Sequence, residues 1–161
     1  MIAEINAQLI EAAKSGDTKT LSLLLENVTN IDGKDNLFGR TVLMWAAREG
    51  QTKTLQVLLE KGAEVNAIDK YGGTALQAAA SSGHTETVKI LLNYGADINP
   101  QDQHGWTALM MAAAHGHIDA VKTLLKVGAD INAQDEYGYT ALMMAQKQGY
   151  SDIVKLLKSS I

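Results

Sequence analysis

The sequence predicts an all-α solenoid built from stacked helix–turn–helix units, and three observations carry that prediction. First, the chain copies itself at a 33-residue step. Gly39, Gly72, Gly105 and Gly138 share one register, as do Thr41, Thr74, Thr107 and Thr140, and again Leu43, Leu76, Leu109 and Leu142. A fixed period of this length marks supersecondary units, each of which buries its apolar face against the next. Second, every copy holds two short apolar stripes at helical spacing; glycine closes the first stripe in each copy and the second in the three internal ones. Third, the chain is 46% hydrophobic and 20% charged, the balance of a water-soluble globular protein.

Residues 1–34 read as an N-terminal capping unit. Ile5, Leu9, Ala12 and Ala13 fall on one helical face, Gly16 breaks that helix, and Leu21, Leu24 and Leu25 begin a second stripe. The offset to the next unit is 34, since Gly16 matches Gly50 and Leu24 matches Leu58; the extra residue lies in the turn DNLFGR, one longer than DKYGGT. Glu11 stands where Trp45 stands in the next copy, as suits an outer face in contact with water. Val28 replaces the glycine found at 62, 95 and 128. A β-branched residue is poor in the left-handed region, so this helix must end differently.

Residues 35–68, 69–101 and 102–134 read as internal units, and 135–161 as a C-terminal cap. Each opens on a polar turn whose Asp can bond its own local backbone. Thr41, Thr74, Thr107 and Thr140 are expected as N-caps. A short alanine-rich helix follows, such as ALMMAAAH, ended by Gly50, Gly83, Gly116 or Gly149. The second helix carries apolar residues at i, i+3, i+4, for example Ile118, Val121, Leu124 and Leu125, and stops at Gly62, Gly95 or Gly128. EVNAID, DINPQD and DINAQD are expected to be extended connectors, with Pro100 placed where its missing N–H breaks no helix. In the last unit Gln146 replaces Ala113 and Lys158 replaces Leu125. These changes predict a solvent-facing cap and an array that ends here.

Composition narrows the function. A net charge of −4 argues against general phosphate-backbone binding, which needs clustered Lys and Arg, so no nucleic-acid partner is expected. The absence of cysteine excludes disulfides, zinc–thiolate sites and cysteine nucleophiles. The segment MIAEINAQLIEAAKSGD lacks the basic and apolar regions of a signal peptide, and no apolar run approaches the ~20 residues of a membrane span. A soluble, cytoplasmic monomer without membrane contact is expected. No nucleophile–base pair or paired carboxylates stand out, and the glycines recur at repeat spacing rather than as GxGxxG or GxxxxGK[ST]. Neither an enzyme nor a cofactor site is expected.

His115 and His117 flank Gly116, with His104 nearby, but no HExxH spacing accompanies them. Gly83-His84 and Gly116-His117 are a repeated pair whose His is expected to cap or bridge the loop, so no metal site is assigned. The pairs Met110-Met111 and Met143-Met144 read as core and groove floor. Lys89, Lys122 and Lys155, beside Glu86 and Asp119, read as a solvated face of weak ion pairs.

Turn, two helices and the signatures DxxGxTxLxxAA, GHxxxVxxLL and GADIN together resemble the ankyrin-repeat family over nearly the whole chain. The resemblance implies a curved ankyrin-repeat solenoid with hairpin-like fingertips projecting from the helix pairs. It also implies a groove, formed by fingertips and inner helices, that binds another protein. The family's TPLH motif appears here as Thr-Val-Leu-Met at 41–44, Thr-Ala-Leu-Gln at 74–77 and Thr-Ala-Leu-Met at 107–110 and 140–143. Every copy lacks the Pro and the His, so methionine packing is expected to replace the family's His-centred bonding between repeats.

Carried over by register, the groove would use the third turn position, Phe38, Tyr71, His104 and Tyr137, and the position after the turn glycine, Arg40, Gly73, Trp106 and Tyr139. Arg48 and His115 mark the exposed ends of first helices, with Trp45, Met111 and Met144 one turn earlier as its floor. Five of the aromatic residues fall at the turn tips, and aromatics with arginine lead lists of interface hot spots. Two alternatives stand beside a general protein-binding module. One is a dedicated inhibitor or immunity-type protein. The other is a consensus-like engineered scaffold, favoured by the near-identity of the last two full copies and opposed by the irregular cap and the DNLFG turn. Asn66, Asn99 and Asn132 match positions that resemble asparagine-hydroxylation sites of the family.

Overall fold

The computed structural model describes residues 2–161. Among the described residues ten helices form five antiparallel pairs: α1 (Ile2–Ser15) with α2 (Thr18–Leu25), α3 (Val42–Arg48) with α4 (Thr52–Glu60), α5 (Ala75–Ser82) with α6 (Thr85–Asn93), α7 (Ala108–Ala114) with α8 (Ile118–Lys126), and α9 (Ala141–Gln148) with α10 (Ser151–Ser159). The odd-numbered helices pack in one row and the even-numbered in another. Among the described residues there is no sheet, only one isolated antiparallel bridge, Lys34 to Thr41, at the base of the first turn. The fold is the all-α repeat solenoid that the 33-residue step predicts.

The first helices start where the register places them. Thr41, Thr74, Thr107 and Thr140 are extended N-caps whose hydroxyls accept from the N–H groups of Met44, Gln77, Met110 and Met143. Ala46, Ala79, Ala112 and Ala145 are wholly buried, and their small size lets neighbouring helices approach. Leu55, Leu58, Leu91, Leu124 and Leu157 fill the second layer with no more than trace exposure. The core is thus a ribbon running the length of the stack.

Three details differ from expectation or refine it. The second helices after α2 are N-capped by Gln51, His84, His117 and Tyr150 without a side-chain capping bond. These side chains reach backward instead: Gln51 Nε2 donates to Lys14 O and His117 Nε2 to Ser81 O, both at 2.9 Å. Each crosses the glycine that ends the preceding pair's first helix. The connectors are not extended throughout but turn near Val65-Asn66 and Ile131-Asn132. Asparagines of two connectors bridge units: Asn66 Oδ1 accepts from Asp97 N–H at 2.9 Å and its Nδ2 donates to Gly95 O at 3.2 Å, while Asn99 Oδ1 accepts from Asp130 N–H at 2.8 Å. Finally, α2 ends without a left-handed residue. Glu26 stays right-handed, and the Asn27 side chain donates to Leu23 O at 3.3 Å.

The polar link between repeats is kept at one place where methionine packing was expected. Gln77 is 2% exposed. Its Oε1 accepts from Thr74 N–H, completing a capping box, and its Nε2 donates to Pro100 O and Trp106 O at 3.0 and 2.9 Å. Met44 and Met110, in the same register, are buried as apolar fillers.

Candidate functional site

The site is assembled from the turns upward. Asp69, Asp102 and Asp135 each accept two backbone N–H bonds through Oδ1, from the second and fourth residues onward. These bonds fix each tip. Consecutive tips are then tied to one another: Lys70 N–H donates to Phe38 O, Gln103 N–H to Tyr71 O and Glu136 N–H to His104 O, at 2.8–3.0 Å. The third turn position, Phe38, Tyr71, His104 and Tyr137, therefore runs as a row on a hydrogen-bonded backbone. Between this row and the first helices lies a recess of about 240 Å³, whose lining includes Arg40, Arg48, Tyr71, Gln77, Asp102 and Met111.

At the N-terminal end the aromatic groups are enclosed by cations. Phe38 meets Trp45 edge-to-face at 6.4 Å. The Arg40 guanidinium lies 4.7 Å from the Phe38 ring and 5.1 Å from Trp45, Lys14 Nζ sits 4.2 Å from Trp45, and Arg48 lies at 5.9 Å. Trp45 Nε1 donates to Asp35 Oδ2 at 2.9 Å. Burial pushes the Asp35 carboxyl up, but bonds from Phe38 N–H, Trp45 Nε1–H and further backbone N–H groups outweigh it and hold the group below its ordinary value of 3.8. Arg40 also pairs with Asp69 of the next turn at 3.5 Å. Lys14 is a member of this cluster that the register comparison did not pick out, since its own unit is the irregular one.

The C-terminal end is more open. Tyr137 is 76% exposed and Tyr139 42%, with Lys147 Nζ 5.6 Å from the Tyr139 ring. Trp106 is half-buried against the core. His104 bridges Glu136 through Nδ1 at 2.9 Å, and His115 Nδ1 bonds Met111 O at 2.8 Å while its ring stacks on His117. Among the described residues no group of three His, Cys, Asp or Glu side chains is placed to hold a metal.

Of the residues selected from sequence, Phe38, Arg40, Trp45, Arg48, Tyr71 and Met111 surround the recess or its cation–aromatic wall, and His104, Trp106, His115, Tyr137 and Tyr139 continue the strip. Met144 does not join them. It is 6% exposed and belongs to the core, and the exposed methionine of α9 is Met143, at 45%. Met143 occupies the register that Met44, Gln77 and Met110 bury beneath a following helix, and no described helix follows α9 on that side. The lysine row is the solvated face expected: Lys89, Lys122 and Lys155 pair with Glu86, Asp119 and Asp152 at 3.4–3.8 Å on exposed surface. A second cavity, about 410 Å³ beside α1, is lined by Ile5, Leu9, Val28 and polar uncharged residues, which offer no titratable chemistry. Among the described residues no helix is long and apolar enough to cross a membrane.

Comparison with curated proteins gives no match. The model of a family described as ankyrin repeats (3 copies) matches residues 9–102 and 100–161. Ankyrin repeats are generally protein-interaction modules, which agrees with a strip of exposed side chains on stacked turns. On the repeat register, the helix-pair stack and this match from Leu9 to the last residue, the chain belongs to the ankyrin-repeat family.

Proposed function

We propose that this chain is a protein-binding module whose contact surface is the strip of turns and first helices running from Phe38 to Tyr139. The carrying observation is the row of exposed tips, Tyr71, His104 and Tyr137, held by backbone bonds from each turn to the next. Contact groups on such a platform lose little further freedom on association, and preorganisation of this kind raises affinity. Tyr139 and half-buried Trp106 lie beside the row and offer large, stiff contact area.

The test is capture of partners from cell extract by the full chain, followed by affinity measurement on whatever single protein is enriched. Trp106→Ala and Tyr139→Ala should each weaken that complex by more than about 1 kcal/mol, roughly fivefold. Tyr94→Ala is the control, because Tyr94 is equally exposed, at 43%, but caps the end of α6 away from the strip. Full affinity in the Trp106/Tyr139 double variant, or a larger loss at Tyr94, would overturn the assignment.

A further inference from the structure

The recess owes its existence to two small residues in one unit. Aligned at 33 residues, Arg40 is followed by Gly73 and then Trp106, and Trp45 by Ala78 and then Met111. In the first of these units the arginine crosses to the next turn, pairs with Asp69 and lies against Phe38 and Trp45. In the second, glycine and alanine leave that volume unfilled. Asp102, which stands to Gly73 as Asp69 stands to Arg40, spends Oδ1 on the N–H groups of His104 and Trp106. Among the described residues no cation lies within ion-pair distance of its carboxylate. Tyr71, in the place of Phe38, is 45% exposed on the same lining.

We propose that this recess receives an arginine side chain of the protein partner, which supplies in trans the guanidinium that Arg40 supplies in cis one unit earlier. The guanidinium pairs with the free edge of Asp102, beside the ring of Tyr71 and the thioether of Met111. Arginine is favoured over lysine because its planar fork both pairs with a carboxylate and stacks on a ring, as Arg40 itself does. Arg40 and Arg48 line the other side, and each has its own acid, Asp69 at 3.5 Å and Glu49 at 4.0 Å. The chain's net charge of −4 assists the approach of a basic segment. This inference rests on the protein-binding reading, because a partner must present the arginine.

The test uses Nα-acetyl-arginine amide as probe, titrated into the isotopically labelled full chain and followed by amide chemical shifts, with the citrulline analogue as a neutral isostere. Saturable shifts at Tyr71, Gly73, Ala78 and His104 are expected with arginine and not with citrulline. Asp102→Asn keeps an Oδ1 acceptor for the turn and removes the charge. Ala78→Met closes the recess with the residue that position 111 already carries. Each should weaken the probe at least tenfold while the remaining spectrum stays folded. No saturable shift at those amides, equal shifts with citrulline, or undiminished binding in both variants would overturn the inference. Probe binding is independent of protein capture: an arginine-responsive recess in a chain that captures no protein sinks the protein-binding reading, whereas capture with an unresponsive recess sinks this one.

Discussion

Two glycines of the same helix pair separate backbone conformation from close packing. Gly83 and Gly95 both lie in the left-handed region, at φ +76° and +86°. A Cβ on Gly95 would meet nothing within 4 Å, whereas one on Gly83 would sit 2.7 Å from His117 Cε1 and 2.8 Å from its Cγ. Gly95→Ala then carries only the left-handed penalty, ~1–2 kcal/mol, offset in part by the stiffer unfolded chain, for a net loss of about 1 kcal/mol. Gly83→Ala carries the same penalty and also displaces the imidazole. It loses the His117–Ser81 bond, about 1 kcal/mol, and forces repacking of ~1 kcal/mol or more. The expected total is about 3 kcal/mol, so the pair should differ by about 2 kcal/mol in urea unfolding followed by helical circular dichroism. In a His117→Ala background the two substitutions should cost the same, since the obstructing ring is gone. Equal losses in the native background, or an excess at Gly83 that survives removal of His117, would refute the packing argument.

Other consequences can be checked in the same assay. Gln77→Ala leaves Thr74 N–H, Pro100 O and Trp106 O without their buried partner and should cost about 2–3 kcal/mol; Gln77→Met, the residue of positions 44 and 110, refills the volume and should cost less. Thr87 Oγ1 is buried with no hydrogen-bond partner, so Thr87→Val should stabilise by about 1 kcal/mol and raise the melting temperature by ~2–4 °C. Asp35 has a folded pKa below its ordinary 3.8. The stability it contributes is fully present above that value and is lost as pH falls through the lower folded one. Asp35→Asn should therefore flatten the acid limb of stability against pH, and an unchanged limb would contradict the bonding assigned to its carboxylate.

What the sequence makes legible is whatever repeats. The threonine caps, the turn aspartates, the helix-ending glycines and the apolar stripes each answer a backbone need that recurs every 33 residues, so comparing copies isolates them. Features depending on one side chain in one copy were harder to read. The bonds of Gln77 run to carbonyls 23 and 29 residues away, and the motif alone suggested methionine-like filling. The burial of Met144 depends on the packing of the terminal helix rather than on register. The cations around Trp45 come partly from Lys14, in the unit whose offset is irregular.

The same comparison of copies, applied to absences, shows where specificity can reside in a fold this regular. A repeat position that keeps its residue serves the stack, and one that changes among large side chains alters the surface without opening it, as in the step from Phe38 to Tyr71. Where the register drops to glycine and alanine together, at Gly73 and Ala78, the stack leaves room beside a carboxylate whose counterpart the preceding unit neutralises internally. The fold tolerates this because Asp102 still holds its turn through Oδ1 and Gln77 still joins α5 to the next unit. The structural duties of the position are met by other residues, which leaves the vacated volume and the second carboxylate oxygen available to a partner.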